Sequence, residues 1–394
     1  MAPAKAARTG NQEKIPGCKK KMKKTIIAAG FTLLSFTLPI GASAATFNRI
    51  YVFGDSLSDT GNVFNLTNFA KSFVDPTIPI DPPAGYFDGR YSNGPVWVDY
   101  LADALKLTVT PSSKLAVPFP ITITPTGELG VNFFFNGATT TQSVNFAFGG
   151  AKAGLDNAGD PRLPGVLREV QGFTNDLIVA NQSADPNALY IVWAAGSNDY
   201  GSGSVPNQVV GNISTAVRSL FDFGARNFLV PNAPDLGKTA RARTLSEQQS
   251  IGLTNLTNAH NFLLDKTLSD LSQSLTGINL LPLDVNSLFN DAIENPGKFG
   301  LTNVTQACLN ISECANADQT QQNQYLFWDG IHPTTTAHKQ LAEFALEKLE
   351  PKSVPEPTSS ASLGMLGLAW LLRGKFKKSR QESDSTTETA KVSR

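Results

Sequence analysis

Tyr51-Val52-Phe53-Gly54-Asp55-Ser56-Leu57-Ser58-Asp59-Thr60-Gly61-Asn62 decides how the rest of the chain is read. Residues 50–53 are a short unbroken apolar run, the pattern of a strand buried on both faces of a parallel sheet. Gly54 ends it, and Asp55-Ser56 stand where strand gives way to turn and helix. In an open α/β sheet, ligands bind beyond the carboxyl ends of the strands. A serine there can present its hydroxyl to that crevice, with N–H groups of the following turn aimed at the same space. Gly-Asp-Ser alone also fits an ordinary turn, so its meaning rests on what the other strand ends carry.

Four more apolar runs follow, at 144–148, 188–195, 227–230 and 278–284. Helical spacing fills the segments between them, at 96–105, 163–181, 205–223 and 245–274. A short helix is expected at 287–293, and a last one opens after Pro333 and runs to about residue 349. Strands alternating with helices give a parallel, doubly wound α/β sheet. Residues 108–142, rich in β-branched residues, Pro and Gly, read as an irregular β excursion over the sheet's rim, with Phe133-Phe134-Phe135 tucked beneath it.

Three strand ends carry small or polar residues: Ser56, Gly149-Gly150, and Gly196-Ser197-Asn198-Asp199. In a parallel sheet they line one crevice. A base is still needed, and the chain has 3 histidines. His260 lies mid-helix and reads as structural. His338, on the last helix, is expected to face solvent. His332 stands in the loop Trp328-Asp329-Gly330-Ile331-His332-Pro333, three residues after Asp329. One tight turn lets that carboxylate accept from one ring nitrogen while the other nitrogen faces a serine. The carboxylate then fixes the tautomer and stabilises the imidazolium formed on proton transfer.

Taken together and in this order, four blocks resemble the GDSL (SGNH) family of serine hydrolases: Gly54 to Asn62, Asn145 to Ala151, Gly196 to Asp199, and Asp329 to Pro333. Ser92-Asn93-Gly94-Pro95-Val96-Trp97 is similar to that family's approach to its second helix. The resemblance implies a flavodoxin-like three-layer sandwich: a parallel five-stranded sheet in the order 2-1-3-4-5 with helices on both faces. It implies Ser56 as nucleophile and His332 as base oriented by Asp329, with no metal or cofactor. The oxyanion donors would be the N–H of Ser56, the N–H of Gly150 and the side-chain amide of Asn198. Between Gly149 and Gly150 the choice rests on place in the block. The implied substrate is a carboxylic ester or lipid. Deacetylation of exopolysaccharide, and a non-catalytic surface or matrix protein on the same scaffold, are the alternatives.

The ends of the chain read as addresses. Lys19 to Lys24, an apolar run over residues 26–40 and then Ala42-Ser43-Ala44 form the three-part pattern of a secretory signal, with cleavage expected after Ala44. At the other end come Pro355-Glu356-Pro357, an apolar run over 361–372, and a basic cluster of Arg373, Lys375, Lys377, Lys378 and Arg380. Twelve residues make only about 18 Å of helix, short of a bilayer core. This tail resembles the PEP-CTERM sorting signal, which implies processing by an exosortase-type enzyme in a Gram-negative-type bacterium. The expected organisation is an export segment over 1–44, a hydrolase domain over 45–350 and a sorting tail over 351–394. Signal peptidase and transient membrane contact at both ends complete the expected partners. Residues 45–354 hold 18 Lys+Arg against 28 Asp+Glu, so the body is acidic and reads against nucleic-acid binding. In an oxidising compartment Cys308 and Cys314, six positions apart, are expected to form a local disulfide.

Overall fold

A run of β-branched and aromatic residues favours extended backbone, and the Ile50–Gly54 run folds as strand β1, wholly buried. The computed structural model describes residues 47–123 and 129–350; the expected signal at 19–44 and sorting tail at 355–380 lie outside the described residues. With β1, strands β2 (Val109–Pro111), β3 (Ser143–Asn145), β4 (Leu189–Trp193), β5 (Asn227–Pro231) and β6 (Asn279–Leu283) form one sheet in the order β2-β3-β1-β4-β5-β6. Every pairing is parallel. β1 lies inside the sheet, in register with β4 from Ile50 opposite Leu189 to Gly54 opposite Trp193.

The described helices include α1 (Asn62–Phe73), α2 (Trp97–Ala104), α3 (Val166–Ala180), α4 (Pro206–Asp222), α5 (Glu247–Ser274), α6 (Val285–Glu294) and α7 (Thr335–Leu349). The period-2 alternation of β1 sorts them into two layers. Tyr51 and Phe53 face α3, α4 and α5, packing with Phe173, Ile213 and Leu264. Ile50 and Val52 face α2 and α7, packing with Leu101 and Ala345. Stacked rings, Phe53 on Phe146 and Tyr51 on Tyr190, both 5.2 Å between centroids, fix the lateral spacing of the strands. At the start of α5, Ser246 and Gln249 cap each other's backbone N–H groups, which sets where that helix begins.

The doubly wound parallel sheet is as expected, with corrections of detail. There are six strands rather than five, because residues 109–111 pair along the free edge of β3 and cover it. The strand expected over 144–148, β3, keeps regular pairing only to Asn145, although Phe146 and Phe148 still donate to the carbonyls of Val52 and Gly54. His338 is buried, not solvent-facing, because the inner face of α7 includes it. Of the three phenylalanines at 133–135, Phe135 is buried and Phe134 points outward. Cys308 and Cys314 are joined by a disulfide, and both pack against Trp328. Among the described residues no helix is long and apolar enough to cross a membrane.

Candidate active site

At the carboxyl end of β1 the chain must turn sharply beside β4. A Cβ at Gly54 would lie 2.7 Å from the carbonyl oxygen of Trp193, so only glycine lets the two strands close up there. Two buried carboxylates then shape the turn. Asp55 accepts from the N–H of Leu57 (3.0 Å) and of Ala195 (3.3 Å). Asp59 accepts from the N–H groups of Gly61, Asn62 and Gly149, at 2.8, 2.6 and 2.9 Å. Burial pushes both carboxyls up to about 6, against the pull of those N–H bonds. Ser56, between them, turns its hydroxyl to the crevice. From α3, Glu169 accepts from the N–H of Gly54 (2.8 Å) and of Phe148 (3.1 Å), tying the ends of two strands together. Its burial raises its carboxyl well above the ordinary range.

The loop before α7 brings the histidine. One oxygen of Asp329 accepts from the N–H groups of Ile331 and His332, both at 2.8 Å. The other lies 2.6 Å from His332 Nδ1 and also accepts from the hydroxyl of Tyr86 at 2.7 Å. Burial works to raise the Asp329 carboxyl, but the His332 ring and these hydrogen bonds outweigh it and hold it well below the usual carboxylate range. His332 Nε2 lies 2.7 Å from Ser56 Oγ. Ser56, Asp329 and His332 are therefore brought into one hydrogen-bonded chain. The loop is held from far along the sequence: Ser92 donates to the carbonyl of Pro333 (2.8 Å), and Asn93 accepts from the N–H of Thr335 (2.8 Å).

Gly149 and Gly150 differ in what is left of their N–H groups. That of Gly149 is donated to Asp59, whereas no acceptor among the described residues takes that of Gly150 or of Ser56. Gly150 has φ +79°, and a Cβ there would meet Asn157 Oδ1 at 2.4 Å. The Asn198 amide gives one hydrogen to the carbonyl of Ala151 at 2.9 Å, which leaves a second. Ser56, Gly150, Asn198 and His332 all line one cavity of about 580 Å³, whose other walls include Val63, Leu66 and Ala70 of α1 with Ile121, Val131 and Leu163.

The family described as GDSL-like lipase/acylhydrolase matches residues 50–345. The chain belongs to that family. Membership makes it a carboxylic ester hydrolase of the GDSL esterase/lipase type. The chain is similar to the thermolabile hemolysin of Vibrio parahaemolyticus, 26% identical over 319 residues, covering 76% of this chain and 63% of that protein. It is also similar to a GDSL esterase/lipase of Arabidopsis thaliana, 26% identical, covering 80% of this chain and 90% of the relative. A third relative, the phosphatidylcholine-sterol acyltransferase of Aeromonas hydrophila, is 26% identical over 84% of this chain and 98% of its own.

Several residues that build the site of this GDSL hydrolase escape a reading of the sequence. Tyr86 and Asn93 meet the His332 loop only through the fold. Glu169 did leave a signal: an acid among Val166, Val170 and Phe173 on the apolar face of a helix needs a buried partner. Asp59 lies inside the block that was singled out for Ser56, and it holds the turn from within.

Proposed function

We propose that this GDSL hydrolase is exported and cleaves carboxylic esters through an acyl-enzyme on Ser56, with His332 as base and Asp329 orienting it. The observation that carries the reading is the 2.7 Å contact between Ser56 Oγ and His332 Nε2, with Asp329 2.6 Å from the other ring nitrogen. His332 takes the Ser56 proton as Oγ attacks the ester carbonyl. The tetrahedral oxyanion is met by the N–H of Ser56, the N–H of Gly150 and the free hydrogen of the Asn198 amide. The alcohol leaves with the proton that His332 returns, and water repeats the attack to release the acid. The free N–H of Gly150, beside a Gly149 committed to Asp59, supports Gly150 as the donor.

The apolar walls of the cavity support an apolar acyl group over a sugar-borne acetate. The names of the relatives, a hemolysin, an esterase/lipase and a sterol acyltransferase, also favour lipid esters. The signal-like segment at 1–44 and the PEP-CTERM-like tail at 351–394 support export from a Gram-negative-type bacterium. The body at 45–350 would then be processed by signal peptidase and an exosortase-type enzyme, with a periplasmic, outer-surface or matrix destination. The test is hydrolysis of p-nitrophenyl acetate together with labelling by a serine-directed organophosphate. Ser56→Ala should abolish both, and labelling that persisted would place the nucleophile elsewhere.

A further inference from the structure

Leu66, Phe69, Ala70 and Phe73 fall at i, i+3, i+4 and i+7, one apolar stripe along α1. Leu66 and Ala70 line the cavity that reaches Ser56, and Phe69 and Phe73 continue the stripe beside it. Phe69 packs on Phe73 at 4.9 Å and on Phe119 at 5.8 Å between ring centroids. Phe73 is 77% and Phe119 58% exposed, and beyond them lie Val117 and Phe134, at 40% and 51%. The arm over residues 117–134 is hydrogen-bonded between its described ends. Val117 N–H donates to the carbonyl of Phe134 (2.9 Å), and the Asn132 amide donates to the carbonyls of Val117 and Phe119 (2.9 and 2.7 Å). Large apolar side chains are thus turned to water on an arm whose two described strands are hydrogen-bonded to each other. A contiguous aromatic patch of this kind marks an interaction surface.

We propose that this aromatic face docks on a lipid–water interface, from which an ester passes into the groove leading to Ser56; the proposal rests on the ester-hydrolase reading above. Continuity decides the occupant. The helix that carries Phe73 also lines the groove through Leu66 and Ala70, and the arm that carries Phe119 lines it through Ile121 and Val131. An acyl chain leaving a lipid aggregate here would meet apolar side chains of both elements on its way into the groove. A second copy or a protein partner seated on the face would lie across that path.

The test compares the full chain with Phe73→Ser/Phe119→Ser, two exposed positions outside the cavity. With tributyrin below and above its solubility limit, the native chain should speed up at least fivefold once emulsion forms. The double variant should keep the dissolved rate within twofold and lose tenfold or more on emulsion. Both sets of chains, placed in a Ser56→Ala background, are also sedimented with phosphatidylcholine vesicles. The double variant should need at least tenfold more lipid for half-binding; the terminal segments are common to both, so the difference belongs to this face. Equal emulsion rates with equal vesicle binding would overturn the proposal. So would a native dimer that the double variant splits while emulsion rates stay the same. If neither form of tributyrin is hydrolysed, the hydrolase reading fails, and sedimentation alone still decides the docking.

Discussion

Gly149→Ala tests how tightly the site is packed around the histidine. The backbone at Gly149 needs no positive φ, so alanine is admissible there and only space is at issue. A Cβ would lie 2.2 Å from the Tyr91 hydroxyl oxygen and 2.4 Å from two ring carbons, against 3.4–4 Å for ordinary contact. The ring, buried at the cavity wall, must therefore retreat by about 1 Å. Its face packs on the His332 ring, 5.2 Å between centroids. Overpacking of this kind costs ~1–3 kcal/mol of stability. A displacement of about 1 Å passed to His332 should lower kcat about 100-fold. The Gly149 N–H bond to Asp59 is untouched by the change, so a loss of turnover reports the ring's movement. The assay is kcat on a soluble p-nitrophenyl ester for the single variants and for Gly149→Ala/Tyr91→Ala. Removing the ring removes the clash, so the Gly149→Ala penalty should nearly vanish in the Tyr91→Ala background. A penalty of equal size in both backgrounds would refute the steric argument.

Two further outcomes follow from the same geometry. Asn198→Ala should cut kcat by more than about 100-fold, ~3–4 kcal/mol of lost transition-state stabilisation, with an unchanged melting temperature; a wild-type rate would remove Asn198 from the oxyanion role. His338 is buried with no protein partner for either ring nitrogen among the described residues, and burial foremost lowers its pKa to about 3. Its folded value is depressed below the ordinary 6.5. The stability it contributes is therefore present above about pH 6.5 and is lost as pH falls through 3, ~5 kcal/mol over that window. His338→Leu, which keeps most of the volume beside Leu57 and Leu341, should flatten the acid limb of stability against pH in denaturant titrations. An acid limb as steep as the wild type's would show that His338 is not its source.

Much of this protein could be read along the chain because its main determinants are local. An apolar run ending in glycine makes a buried strand, alternation with helical periods makes a doubly wound parallel sheet, and that sheet carries its strand ends to one crevice. That rule places Ser56, the pair Gly149-Gly150 and Asn198, the family resemblance singles out Gly150, and Asp329 with His332 share a spacing that one turn can close. What stayed illegible depends on which surfaces meet. Whether His338 faces water was decided by how α7 seats on the sheet. Residues 109–111 became a strand only because the edge of β3 was there to pair with. That Gly149's N–H is spent on Asp59 while Gly150's is free, that Tyr86 donates to Asp329, and that Phe73 and Phe119 share one exposed face, are contacts between segments far apart in the chain. Hydrophobic periodicity fixes which way a segment faces, since it is a property of neighbouring residues. The partner it finds there is set by packing across the whole fold, and only the tertiary structure could decide it.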